Sequence, residues 1–109
     1  MGKKSRDKGK HGEREVVQLL RAHGIKARRG QQFAGGGDSP DIVHNIPDVH
    51  IEVKRRETFN LYESLDQAMK DAGLFDTSVV FYRKNNRPWV VVLDAEDFLN
   101  IMAERQCDD

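Results

Sequence analysis

The chain has 109 residues, a formal charge of zero, 38% hydrophobic residues and 33% charged residues. That length suits one domain with a single core, and the composition excludes a disordered or fibrous chain. No apolar run approaches the ~18 residues of a membrane span, and the Lys-rich start has no apolar segment behind it and is no signal peptide. The lone Cys107 cannot form an internal disulfide, so the expected setting is reducing and cytoplasmic.

The neutral total conceals an asymmetry. Residues 1–30 hold ten Lys or Arg against three Asp or Glu, a net of +7, so the rest of the chain carries −7. A basic arm on an acidic domain points to a polyanion partner, most often nucleic acid, although such runs also occur as solvated tails.

In chain order, residues 1–9 mix Lys, Gly and Ser and read as a flexible basic arm, with residues 10–109 as one domain. Val16, Val17, Leu19 and Leu20 recur at helical spacing over residues 12–23, and Gly24 ends that helix. Residues 30–39, with three consecutive glycines and Phe33, read as a mobile loop. Two extended runs follow, residues 41–44 and 49–55, joined by a short turn that should pair them as a hairpin. In the second run Val49, Ile51 and Val53 share one face, and His50, Glu52 and Lys54 share the other.

Asn60 and Glu63 form a capping-box pattern ahead of a stripe of Leu61, Leu65, Ala68, Met69 and Ala72, which Gly73 stops. Residues 77–83 and 88–93 are β-forming, and Lys84-Asn85-Asn86-Arg87 suits a tight hairpin. Asp94 can cap a last helix carrying Phe98, Leu99, Ile101 and Met102. This order predicts an α/β fold with a central mixed β-sheet flanked by helices.

One constellation carries chemistry. Residues two apart on a strand lie on one face, roughly 6.5–7 Å apart, so Glu52 and Lys54 can converge on one spot. A hairpin brings Asp41 beside them. Two carboxylates and an ammonium next to a Gly-rich loop can hold Mg²⁺ and a phosphate, with Lys54 placing a water or neutralising the phosphate. Without Asp41, Glu52 and Lys54 would read more readily as a same-face ion pair on a half-exposed strand.

Pro40-Asp41 followed by Glu52-Val53-Lys54 resembles the PD-(D/E)xK nuclease signature. Lys8-Gly9-Lys10-His11-Gly12-Glu13-Arg14-Glu15 is similar to the Lys-Gly-x-x-x-Glu-Arg-Glu start of the archaeal-type Holliday junction resolvases, and His23-Gly24-Ile25-Lys26-Ala27-Arg28-Arg29 to the short basic strand that follows it there. The C-terminal half fits less specifically, through a helix and a hairpin with an aromatic, here Trp89, in its second strand.

The resemblance implies a restriction-endonuclease-like core over about residues 8–93. It implies a Mg²⁺-dependent endonuclease, with Mn²⁺ able to substitute, that hydrolyses phosphodiesters in branched DNA, four-way junctions above all. Glu13, Asp41 and Glu52 would hold the metal and Lys54 would assist catalysis. Arg14 and Arg29 carry over as functional basic residues. Lys8, Lys10, Arg55 and Arg56 join them as expected DNA contacts, which would make binding largely sequence-independent and salt-sensitive.

Asp38 is a second candidate for the role of Asp41, which is preferred because it follows Pro40 and starts the strand. Glu15 points about 200° away from Glu13 on a helix and reads as a surface acid. Gln67 reads as a surface glutamine that can reach the site, His50 as a solvent-facing histidine, and the four histidines show no close zinc spacing. Two symmetric cuts need two sites, so a twofold dimer is expected. Its candidate surfaces are the hairpin of residues 77–93, with Phe81, Tyr82 and Trp89, and the C-terminal helix, which read equally as parts of the monomer core. No membrane and no small-molecule substrate are expected. The rival readings are a nuclease for flapped or duplex DNA and an inactive DNA-binding module of the same fold.

Overall fold

In a computed structural model, which describes residues 2–30 and 41–106, Val16, Val17 and Leu20 form the buried stripe of helix α1, Gly2–Ala22. The helix starts well before Gly12, so over residues 2–9 it replaces the flexible arm expected there. Apolar periodicity marks only the packed turns of a helix, and the polar first turns of α1 carry no stripe.

Its C-terminus is a Schellman motif. Gly24 adopts φ +80°, Ile25 N–H donates to the Leu20 carbonyl and Gly24 N–H to that of Arg21, each at 3.0 Å. A side chain at position 24 would strain this left-handed backbone. Gly12 has a different reason to be small. A Cβ there would lie 2.7 Å from the Arg55 Cβ, so only glycine lets the helix sit this close to the neighbouring strand.

Strand β1 (Ala27–Arg29) pairs antiparallel with β2 (Ile42–His44). Gly30 N–H donates to the Asp41 carbonyl at 2.9 Å and extends the ladder by one step. The expected mobile loop over residues 31–39, with Phe33 and Asp38, lies outside the described residues.

Strand β3 (Val49–Arg55) pairs in parallel with β4 (Thr77–Arg83) through the crossover helix α2 (Leu61–Asp71), and β4 turns back into β5 (Val90–Val92). The sheet order is β3-β4-β5, so the mixed sheet holds. The expected β2–β3 hairpin does not form, because β2 takes β1 as its ladder partner. The intervening turn, with Asp48 at φ 59° and His44 Nδ1 accepting from Ile46 N–H, sends β3 into the other sheet.

Two cores result. Val16, Val17 and Leu20 of α1 close over Ala27, Ile42, Ile51 and Val53, with Phe81 and Trp89 at the edge. On the opposite sheet face Leu65 and Ala68 of α2 cover Val80, flanked by Phe59 and Val92. Alternation along β3 therefore turns Ile51 and Val53 toward α1, and His50, Glu52 and Lys54 toward the other face.

The capping expectations hold. Asn60 Oδ1 accepts from Glu63 N–H at 3.0 Å, and Asp94 Oδ1 accepts from Glu96 N–H at 2.8 Å ahead of helix α3 (Ala95–Gln106). The hairpin turn places Asn86 at φ 62°. Of the stripe expected on α2, Leu65 and Ala68 are buried while Leu61 and Met69 stay half exposed. Helix α3 contributes no buried residue to either core. No helix among the described residues is long and apolar enough to cross a membrane.

Candidate active site

Glu52 stands mid-strand on β3 and is only 8% exposed. A buried carboxylate needs donors or a cation around it. His50, two residues back on the same face, puts Nε2 3.0 Å from Glu52 Oε1, and both side chains are about 10% exposed. His50 is thus a buried partner of Glu52, contrary to the solvent-facing histidine expected from sequence.

Asp41, immediately before β2, reaches across to β3. Its Oδ2 accepts the Val53 N–H at 2.9 Å, which caps with a side chain the strand edge that a hairpin would have paired. Asp41 and Glu52 lie close enough that each carboxyl shifts the acidity of the other.

The electrostatics follow from this crowding. Burial pushes the Asp41 carboxyl from 3.8 up to about 7; the Val53 N–H opposes this, and the charges of Glu52 and Glu13 add to it. Burial also works to raise Glu52, but the hydrogen bond from His50, the one shared with Asp41 and the charge of Lys54 outweigh it and hold Glu52 below the usual carboxylate range. The hydrogen bond to Glu52 in turn holds His50 above its ordinary value. Two neighbouring carboxyls largely shielded from water are a donor set that would suit a divalent cation.

Glu13 joins this set only through its charge. Its Oε1 accepts Arg29 Nε at 2.9 Å, so an expected metal ligand and an expected phosphate contact are paired with each other. Among the described residues, no three His, Cys, Asp or Glu side chains gather into a metal cluster.

The remaining expected residues divide. Lys10, Arg14 and Arg56 are exposed, and Lys54 is half-buried beside Glu52. Arg55 is folded inward under α1, its side chain 11% exposed, with Nη2 donating to Asn85 Oδ1 at 2.7 Å. Lys8 lies 3.5 Å from Glu57. Gln67 is exposed and bonds to Asp71 on its own helix.

Glu15 is not a plain surface acid. It accepts Trp89 Nε1 at 2.9 Å and pairs with Arg83, and so ties α1 to the β4–β5 hairpin. Its acidity among basic neighbours carried no signal of this role, because Arg83 and Trp89 are distant in sequence. We expect Glu15→Ala to leave two part-exposed donors to water, at a cost of about 1 kcal/mol. A thermal melt should show Tm lower by roughly 4–8 °C per kcal/mol. An unchanged Tm would remove the tie.

Comparison with known proteins agrees with this geometry. A family model described as archaeal Holliday junction resolvase (Hjc) matches residues 4–100. Among solved structures the chain is similar to Hjc of Archaeoglobus fulgidus, a Holliday junction resolvase from an archaeal hyperthermophile. The identity is 22% and the TM-score 0.59, over 77% of this chain and 75% of that one. No curated protein matches the chain. A family match spanning nearly the whole sequence, on a fold and site of this kind, means that the chain belongs to the archaeal Holliday junction resolvase family, nucleases that resolve four-way DNA junctions.

Proposed function

We propose that the chain cuts four-way junctions by Mg²⁺-dependent hydrolysis, with Asp41 and Glu52 holding the ion, and that it works inside the cell as a twofold dimer. The observation that carries this reading is the close placement of Asp41 and the buried Glu52, in which burial and the charge of Glu52 raise the Asp41 carboxyl, an effect a cation would offset. When bound, Mg²⁺ (or Mn²⁺) supplies Lewis acidity at the phosphate and offsets its charge.

The chain's own residues do the rest. His50 fixes the orientation of the Glu52 carboxylate, and the Val53 N–H fixes that of Asp41. Glu13, held by Arg29, supplies a third negative charge to the site. Lys54, on the same strand face as Glu52, neutralises a phosphate oxygen or orients the attacking water. Lys10, Arg14 and Arg56 face solvent and are free to meet phosphates.

The test incubates labelled four-way junction, flap and linear duplex with Mg²⁺ or EDTA. Paired nicks in the junction alone, absent in EDTA, support the reading. Cutting of flaps or duplex replaces it with a less selective nuclease, and binding without any cutting replaces it with an inactive module.

The dimer reading rests on α3 and β5. Phe98, Leu99, Ile101 and Met102 are all at least 38% exposed, as are Val90 and Val91. Phe81 and Trp89 pack on the first core and Tyr82 stacks on Phe59, so those three belong to the monomer. We expect the Phe98→Glu, Leu99→Glu double variant to sediment as a monomer where the parent chain is a dimer, and to replace paired nicks with single ones. A parent chain that sediments as a monomer would overturn this.

A further inference from the structure

Resting on the junction-nuclease reading, we propose that a pocket between α1 and the end of β3 takes one backbone phosphate of the DNA, and that Glu57 occupies the phosphate's place in the free protein. The cavity, about 490 Å³, is lined by Lys8, Lys54, Arg55 and Arg56 against one acid, Glu57. Lys54, the proposed catalytic lysine, precedes Arg55 on the same strand.

Three donors converge on a single oxygen. Glu57 Oε2 accepts the Asn85 N–H at 2.8 Å and lies 3.5 Å from Lys8 Nζ and 3.6 Å from Arg55 Nη1. The Asn85 N–H, followed by the charges of Lys8 and Arg55, holds Glu57 below the usual carboxylate range. Arg55 Nη1 is buried and has no hydrogen-bond partner among the described residues, Glu57 lying 3.6 Å away as an ion-pair contact only, although Asn85 fixes the same guanidinium through Nη2.

A buried, charged donor without a partner is costly unless a ligand completes it. A tetrahedral phosphate has oxygens enough to serve Lys8, Arg55 and the Asn85 N–H together, which one carboxylate at 3.5–3.6 Å from the two cations does not. Glu57 can yield the place. Its side chain is 48% exposed and it sits in the bend that follows β3, outside any strand or helix. A free phosphate ion shares this chemistry, so the experiment must separate the two sources.

The test measures anisotropy of a labelled four-way junction in EDTA across a KCl series, for the parent chain, Glu57→Gln, Lys8→Ala and the double variant. The amide of Glu57→Gln keeps an acceptor for Asn85 while removing the competing charge. Emptying the pocket should tighten junction binding by about 3–10-fold and steepen the log–log salt dependence by about one. In the Lys8→Ala background that gain should fall by at least about half, since the two residues share one site.

An unchanged affinity and slope in Glu57→Gln, or an equal gain in both backgrounds, overturns the proposal. So does an unchanged junction affinity in a variant that inorganic phosphate stabilises against heat beyond an equal ionic strength of chloride, because the pocket then takes the free ion. If the parent chain cuts the junction with Mg²⁺ while Glu57→Gln changes nothing, only the pocket assignment fails. If the parent chain cuts no DNA at all, the nuclease reading fails with it.

Discussion

Glu52→Gln should lower single-turnover cleavage of a four-way junction by about 10³-fold, equivalent to roughly 4 kcal/mol of transition-state stabilisation. The substitution keeps the shape of the side chain and an oxygen for His50 at the position that now lies 3.0 Å away. The fold and the exposed basic residues are untouched, so junction affinity should stay within about threefold. What disappears is the buried negative charge. An amide beside Asp41 cannot share a cation as a carboxylate does, and it no longer opposes ionisation of Asp41. Asp41→Asn should fall by a similar factor, since its remaining oxygen still accepts the Val53 N–H and only the ligand charge is lost. Circular dichroism separates lost chemistry from lost structure. A Glu52→Gln enzyme retaining more than about a tenth of the parent rate would remove Glu52 from the catalytic site.

Without metal, the protein should become less stable as pH rises from about 5 to about 8. Asp41 sets the sign. Its folded pKa, about 7, lies above the ordinary 3.8, so between those values the folded state holds a proton that the unfolded chain has released. Stability therefore declines with rising pH across that window and levels off above it. His50, also raised, acts in the same direction. Its contribution is complete below its ordinary 6.5 and is lost as pH climbs through its folded value. Glu52 is lowered, so its contribution is present above 4.5 and is lost only as pH falls through its folded value, at the acid end.

Thermal melts in EDTA should show Tm falling by at least about 5 °C over this range, on the scale of one kcal/mol or more for a small domain. The fall should be smaller in Asp41→Asn, which has no carboxyl to titrate. Millimolar Mg²⁺ or Mn²⁺ should raise Tm more at the alkaline end, because a cation competes with the proton for the same oxygens. A Tm that climbs with pH in EDTA, or that Asp41→Asn leaves with the same slope, would contradict the buried proton.

Several features were legible along the chain. Asn60 and Asp94 announced the helix starts they cap, and Gly24 the helix end, because caps and left-handed turns depend on a few adjacent residues. The period-two pattern of β3 placed His50, Glu52 and Lys54 on one face for the same reason. The order of Glu13, Asp41, Glu52 and Lys54 along the chain carried the family resemblance, and with it the nuclease chemistry. None of these needs information from a distant element.

Tertiary structure decided everything that depends on which elements share space. Strand β2 could pair with β1 or with β3, and the choice of β1 left Asp41 to bridge to Val53 by its side chain alone. Burial made His50 a partner of Glu52, and the packing of α1 on β3 turned Arg55 inward and left one of its nitrogens without a hydrogen-bond partner among the described residues. Glu13 and Arg29, both charged and both expected to meet ligands, met each other first. Charge and residue type are written locally, but the partner that neutralises a charge comes from wherever the chain returns. The sequence by itself thus determined most of the elements and the chemical class of the site; only the folded chain decided which of its charged side chains meet.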